Sequence, residues 1–480
     1  MILRGRNPRT GEDGAPVPAT SPDQTVDAVA AAAAWHAARP HPSAESRRQV
    51  LEAIARGIDA DRQALVTQAE WETALGVGRL NGEIDRTIAQ IRMFSDLLGS
   101  DADALEASTA PSPRGDGTTT TVSRLTVPIG PVAVWAASNF PFAFGIPGGD
   151  TVSALAAGCP VIVKAHPSQP STSELLADVL CRALSSVDQA GGLLSVVHGD
   201  AAADVLVSDE RMRAGAFTGS LAGGTALARR AVGRAEPMLF FAEMGGVNPA
   251  VVLPGAARDE AQAIAQGFIQ SLTLGAGQFC TKPGLLFLPR GCGILDTILS
   301  HLPSDGFPAL NGRIAAGYRV RLNQLGARVT PDPDPGQLTP VLMVASLDDL
   351  QREGDLLREC FGPFGIVVEY GTGEELGAAL GLVRGALVAS VFHTGGDRDL
   401  LCDLMPVLVP RVGRIAFNAW PTGVAVTPAM HHGGSPPASN DPRFTSVGAH
   451  AMDRFRRPIA LQDAPADVLR AWARPTGVSA

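Results

Sequence analysis

The sequence predicts an α/β protein: a doubly wound parallel-sheet cofactor domain, a second α/β catalytic domain and a small β oligomerisation element. Three observations carry this. From Val132 onward, short apolar runs alternate with helical stretches, the pattern of a parallel sheet with crossover helices. A second alternating region runs from Pro249 to about Pro428. Ahead of both, Val50, Leu51, Ile54 and Ile58, then Ile84, Ile88, Ile91, Phe94 and Leu98, recur at helical spacing and read as core-facing helix.

Taken in order, the Ala-rich tract Val26–Ala38 reads as a packed helix. It is too short and too weakly hydrophobic to span a membrane. A polar run, Ala110–Thr120, precedes a β-prone piece, Thr121–Val127. That piece is either a hairpin used in subunit contact or a plain surface hairpin. The cofactor-domain strands are expected at Val132–Ala136, Val161–Lys164, Leu194–Val197, Ala214–Phe217 and Leu239–Ala242. Helices are expected near Gly149–Ala157, Ser173–Leu184, Ala201–Val207 and Leu221–Val232. Ligands of such sheets sit beyond the carboxyl ends of the strands. The second domain is expected to use Pro249–Leu253, Leu285–Leu288, Ile366–Tyr370, Leu387–Phe392 and Arg414–Asn418 as strands, with a surface loop at Thr330–Pro335. The expected boundaries are 1–116 and 130–245 for the cofactor domain, 246–440 for the catalytic domain, and 117–129 with 441–480 for the oligomerisation element. In the tail only Ile459–Leu461 looks able to add a strand beside the basic Arg454–Arg457. A homo-oligomer is expected, with dimer and tetramer both open.

Composition narrows the function. At 480 residues, 45% apolar and 18% charged, the chain can bury large cores. A net charge of −9 and only two tyrosines argue against nucleic acid and against an anionic membrane. Six dispersed cysteines without a CxxC suit a reducing compartment and no metal site. With no secretory run at the start and no long apolar segment, the expected location is cytoplasmic.

The candidate chemistry centres on Leu274-Gly275-Ala276-Gly277-Gln278-Phe279-Cys280. A helix expected over Arg258–Leu272 runs into two glycines that let the Cys280 N–H point beside its own sulfur. A thiol next to a free backbone donor is half of an acyl-transfer site, although a buried, inert cysteine is the commoner case. Four strand ends add to it. Asn139 follows the first strand, where its amide can donate to an oxyanion or simply shape a turn. Lys164 ends the second strand, where an ammonium can reach a ribose or a phosphate. Gly219 and Ser220, with Gly223 and Gly224, open a helix suited to a pyrophosphate. Glu243 ends an apolar strand, where burial is expected to raise its pKa and suit it to general-base work.

The ordered set SNFPF, VIVKAHP, FTGS, EMGGVNP, GQFC, ECFGPF and FNAWPTG resembles the aldehyde dehydrogenase superfamily over nearly the whole chain. The resemblance implies NAD(P)-dependent oxidation of an aldehyde to an acid. Cys280 would form a thiohemiacetal whose oxyanion is held by Asn139 and the Cys280 N–H. Hydride transfer would leave a thioester, and Glu243 would activate the water that hydrolyses it. Lys164 and Glu359 would contact the cofactor riboses, Ser220 the pyrophosphate, and Phe361 would pack near the nicotinamide. Within the superfamily the chain is most similar to bacterial NADP-dependent members that oxidise α-ketoglutarate semialdehyde. The segments that carry this are EMGGVNP with Val247, PTGV and Met430-His431-His432-Gly433-Gly434. Two adjacent histidines on a Gly-rich loop could be structural or metal-binding. The resemblance puts the segment beside the thiol, where His431 or His432 would handle protons or position groups, with His432 the residue assigned.

Where NAD-preferring relatives often carry a glutamate three residues after the lysine, this chain has Pro167. With Lys164, His166 and Ser168 nearby, NADP is the expected cofactor and NAD is possible. Phe144, Phe279, Trp420 and Val424 fall where relatives line the aldehyde passage. A substrate with a second carboxylate would need a cation at its far end. Arg443 is a candidate only by sequence proximity to the His431-His432 loop, and a surface arginine is the commoner reading. Alternatives are a medium- or long-chain aliphatic aldehyde dehydrogenase, a CoA-acylating relative, which commonly lacks the Glu243-type base, and a catalytically silent structural relative.

Overall fold

The computed structural model describes residues 1–99, 106–188, 190–326 and 336–473. The loop expected at Thr330–Pro335 lies outside them. Two parallel sheets organise the chain. The first runs, edge to edge, Leu194–Val197, Val161–Lys164, Val132–Trp135, Ala214–Gly219 and Leu239–Met244. Strand order reverses between Val132–Trp135 and Ala214–Gly219, which opens a crevice at their carboxyl ends. The residues after those two strands include Asn139 and Ser220.

The second sheet runs Val341–Ala345, Phe364–Tyr370, Pro283–Pro289, Asn248–Val252, Ala386–Phe392 and Val412–Phe417, again all parallel. Its edge strand Val341–Ala345 was not expected, because its side chains are mostly half-exposed and lack a clear apolar run. Only Gly245-Gly246-Val247 separates Leu239–Met244 of the first sheet from Asn248–Val252 of the second. Glu243 therefore sits where the chain crosses between them.

Helices Ala44–Ala60 and Val77–Leu98 bury the expected stripes, with Leu51, Ile54, Ile58, Ile84, Ile91 and Phe94 fully enclosed. They pack with the first sheet into one continuous core. The Ala-rich tract is the helix Pro22–Ala38, started by a capping box between Ser21 and Gln24. The helix ahead of the cysteine begins at Ala261, not at Arg258: a short helix Pro254–Asp259 precedes it, and Glu260, with φ −130° and ψ 19°, breaks the two apart.

A third, antiparallel sheet orders Arg456–Gln462, Thr119–Pro128 and Glu106–Pro111. The polar run Ala110–Thr120 is thus partly strand. The tail strand is longer than the Ile459–Leu461 expected, and Arg456 and Arg457 lie within it, paired with Pro128 and Val127. Among the described residues no helix is long and apolar enough to cross a membrane.

Candidate active site

The cysteine loop is held from several sides. Gly275, Ala276 and Gly277 take φ of 55°, 58° and 65° in succession, a left-handed path that costs little at glycine and is rare at alanine. Asn248 Nδ2 donates to the carbonyls of Cys280 and Lys282 at 2.8 and 2.9 Å, pinning the loop to the second sheet. Gln278 reaches the other way and accepts from Leu310 N–H at 2.8 Å. Cys280 is left half-buried. Burial, then the Glu243 and Glu359 carboxylates, push its pKa far up, against weaker pulls from its own N–H and Arg86. The resting sulfur is a thiol and requires a base.

A candidate base lies beside it. His432 Nε2 lies 3.9 Å from Cys280 Sγ and 2.9 Å from Glu243 Oε1. The ring nitrogen has hydrogen-bonding geometry toward sulfur, whereas Glu243 Oε1 has no aligned hydrogen bond. The Glu243 carboxylate and the His432 ring lie at ion-pair distance. His432 is locked in place: its N–H donates to Thr445 Oγ1 at 2.7 Å, and its carbonyl accepts from Ser446 N–H at 2.8 Å. The Ser446 hydroxyl donates to Glu243 Oε2. His431 points elsewhere, packing beside Gly413 and Gly433.

The expectation that Glu243 has a raised pKa is overturned. Burial does push it up, but His432, Ser446 and Arg454 together outweigh burial and hold it below the ordinary carboxylate value. The sequence offered no signal for Ser446 or for Arg454, which is buried, pairs with Asp150 at 2.8 Å and acts on Glu243 from a distance. Glu243, Cys280 and His432 also present ligand atoms within 4.8 Å of one another, close enough to hold a metal ion.

Asn139 stands beside the same loop. Its Nδ2 donates to the Gln278 carbonyl at 3.1 Å, and its own carbonyl accepts from Arg79 at 2.6 Å. One amide N–H is thus engaged by the loop, leaving the second as the donor available to an oxyanion.

The passage residues divide. Phe144 lies with its ring centroid 6.4 Å from that of His432. Phe279 meets Phe140 edge-on at 5.2 Å, and Phe140 meets Phe144 at 5.6 Å, so the three rings form one apolar wall. The Val424 carbonyl accepts from Arg86 Nε at 3.5 Å. Trp420 does not belong to this wall: it packs on Phe392 and Phe268, 4.5 and 5.7 Å away, under helix Ala261–Thr273. Arg443 pairs with Asp441 at 2.6 Å on the surface, away from the thiol.

At the first sheet's crevice, Ser220 caps helix Leu221–Val232 and accepts from Gly223 N–H at 3.3 Å. A Cβ on Gly219 or Gly224 would run into Phe217 or Met244, so the turn stays bare backbone, open to a pyrophosphate. The Lys164 ammonium is largely buried, with exposed Asp200 4.0 Å away as its ion-pair partner. A buried ammonium so weakly paired suits a ribose hydroxyl or phosphate. His166 cannot add charge: burial, with Lys164 and Arg313 nearby, drives its pKa down to about 3, and its Nδ1 is paired with Ser168 Oγ at 2.8 Å. Arg313, from helix Gly312–Gln324, is the second cation whose field reaches this corner. Across the cleft, Glu359 packs against Gly245, and burial raises its pKa to about 7 against the pull of Lys282. Glu359 and Phe361 line one small cavity with Tyr318. These residues fit a dinucleotide.

A doubly wound sheet that carries Glu243 at a strand end meets a second sheet whose leading loop carries the Cys280 thiol, with His432 close to both, the arrangement of a thiol-dependent oxidoreductase. The chain belongs to the aldehyde dehydrogenase family, whose model matches residues 3–303. It is 38% identical to alpha-ketoglutaric semialdehyde dehydrogenase 2 of Azospirillum brasilense, over 97% of this chain and 92% of that protein. It is 35% identical to alpha-ketoglutaric semialdehyde dehydrogenase of Acinetobacter baylyi, over 88% and 83%. Among solved structures, aldehyde dehydrogenase 21 of Physcomitrella patens, in complex with succinate, shares the fold at a TM-score of 0.79 and 20% identity, covering 96% of this chain and 95% of that one. Glyceraldehyde-3-phosphate dehydrogenase GapN of Methanocaldococcus jannaschii, complexed with NADP, does so at 0.78 and 16%, covering 96% and 98%. The chain is an aldehyde-oxidising enzyme of this family, which uses NAD(P).

Proposed function

We propose that this enzyme oxidises α-ketoglutarate semialdehyde to α-ketoglutarate, with NADP preferred, and that Cys280, His432, Glu243 and Asn139 do the chemistry. The observation that carries the reading is His432 Nε2 facing Cys280 Sγ at 3.9 Å with Glu243 at its side. His432 takes the thiol proton as sulfur attacks the aldehyde carbon, and Glu243 steadies the imidazolium. The Cys280 N–H and the second Asn139 N–H stabilise the oxyanion. Lys164, Gly219, Ser220, Glu359 and Phe361 would hold NAD(P) in the first-sheet crevice, and the cofactor would supply the hydride acceptor. The thioester left on Cys280 is cleaved by water whose proton goes to the His432–Glu243 pair. An intact Glu243 favours hydrolysis over transfer to CoA.

Substrate identity is supported by the 38% and 35% identical relatives named above. NADP preference is supported by Pro167 in place of a carboxylate and by Lys164 and Arg313 at the ribose corner. Homo-oligomerisation is supported by Glu106–Pro111, which among the described residues is an edge strand of its sheet, a place where another copy can pair. One observation favours a second reading: the Phe140–Phe144–Phe279 wall would suit a medium-length aliphatic aldehyde. Steady-state kinetics on 2,5-dioxopentanoate, succinate semialdehyde and aliphatic aldehydes, each with NAD and NADP, decide between them. A highest kcat/KM for 2,5-dioxopentanoate with NADP is expected; a higher value for an aliphatic aldehyde would overturn the substrate.

A further inference from the structure

Arg86 carries a half-buried charge whose guanidinium Nη1 is withdrawn from water. It lies on helix Val77–Leu98 with its guanidinium carbon 5.3 Å from the centroid of the Phe144 ring. Its Nε donates to the Val424 carbonyl at 3.5 Å, and its Nη1 is buried without a hydrogen-bond partner. Among the described residues it forms no salt bridge. On the same helix Asp85 pairs with Arg62 at 2.7 Å, and Glu83, whose charge reaches Arg86, uses Oε1 to accept from the N–H groups of Phe142 and Ala143 at 2.7 and 2.9 Å. Burial raises the Glu83 pKa to about 7, so near neutrality it carries only part of a charge.

A guanidinium withdrawn from water without an acid partner is costly, and folds keep one where an anion arrives from outside. The surroundings say where that anion would sit. From Cys280 Sγ the path runs 3.9 Å to His432 Nε2, from the His432 ring 6.4 Å to the Phe144 ring, and from that ring 5.3 Å to Arg86. The field of Arg86 reaches both Cys280 and Glu243. Arg414 donates to the carbonyls of Pro421 and Gly423 at 2.7 and 3.2 Å, bracing the loop that presents Val424 to Arg86. Arg79, by contrast, is held between the rings of Phe140 and Phe279 at 4.9 and 4.7 Å and donates to Asn139. Its Nη1 also lacks a partner, but the charge its field reaches is Glu83 rather than the thiol site.

We propose that Arg86 is the anion-binding end of the aldehyde passage, pairing with the carboxylate of a short ω-oxo acid whose aldehyde carbon meets Cys280. The assignment rests on the carboxylate-bearing substrate proposed above. The bound carboxylate accepts from Nη1, while the Phe144 ring flanks the carbon chain between the two ends. A neutral aldehyde of the same length leaves the guanidinium desolvated and unpaired, and is discriminated against for that reason.

The test compares wild type with Arg86→Gln and Arg86→Lys, each checked for an unchanged thermal midpoint. In R86Q the KM for 2,5-dioxopentanoate and succinate semialdehyde should rise on the order of 10- to 100-fold with a smaller change in kcat, while kcat/KM for hexanal falls far less. R86K should recover part of the loss, and it decides the matter if R86Q does not fold. Glutarate should slow alkylation of Cys280 by iodoacetamide in wild type and not in R86Q. An equal loss for acids and hexanal would make Arg86 structural. If wild type prefers hexanal, the substrate reading fails and this assignment with it. If wild type prefers the oxo acids and R86Q keeps that preference, only the role of Arg86 falls.

Discussion

His432 Nε2 stands 3.9 Å from Cys280 Sγ, on a backbone pinned by Thr445 and Ser446 and flanked by the Glu243 carboxylate at 2.9 Å. Because burial and two carboxylates hold the thiol protonated, the proposed mechanism makes the rate of attack depend on how readily His432 removes that proton. Exchanging His432 for glutamine should lower kcat on the order of 10²- to 10⁴-fold, the usual range for losing a positioned base. Alkylation of Cys280 by iodoacetamide should slow with it at neutral pH and recover as pH rises. A variant alkylated as fast as wild type at pH 7 would remove His432 from thiol activation.

The ribose corner makes a separate prediction. Lys164 and Arg313 supply its positive field, and neutral His166 supplies none. Introducing a carboxylate by Pro167→Glu should repel a 2′-phosphate and accept from ribose hydroxyls instead. The ratio of kcat/KM for NADP to that for NAD should fall on the order of tenfold, about 1.4 kcal/mol. Measured ratios that do not move would place the discrimination elsewhere.

Glu83 predicts a pH dependence of stability. Its folded-state pKa is raised from 4.5 to about 7, chiefly by burial, so between those values the folded chain holds a proton that the unfolded chain has released. Its contribution to stability is therefore fully present below about pH 4.5 and is lost as pH rises toward 7. Glu83→Gln, which keeps an acceptor for Phe142 and Ala143 N–H, should flatten that part of the profile in denaturant titrations. A wild-type slope retained in the variant would contradict the assignment.

Much of this was legible in the residues, for physical reasons that differ by element. The strands Val132–Trp135 and Val161–Lys164 are buried on both faces, so their apolar runs announce them. Cys280, Glu243 and Asn139 stand at strand ends or loop tips, where a reactive side chain breaks an apolar pattern. Val341–Ala345 and Glu106–Pro111 escaped notice because edge strands keep polar or half-exposed side chains. Trp420 was misplaced because sequence adjacency to Val424 does not reveal which way a large ring turns, and it turned into the core. Ser446, Arg454 and Arg86 are distant in sequence from the groups they serve. Only the folded chain shows that Glu243 is held ionised although it is buried.

The most direct test of the thiol mechanism is a rapid-quench mass measurement on Glu243→Gln mixed with 2,5-dioxopentanoate and NADP. Without the carboxylate that supports water activation, each active site should release one equivalent of NADPH. The Cys280 peptide should then carry the mass of the acyl group as a stalled thioester. Steady turnover at the wild-type rate, or a burst with no acyl mass on Cys280, would contradict the account.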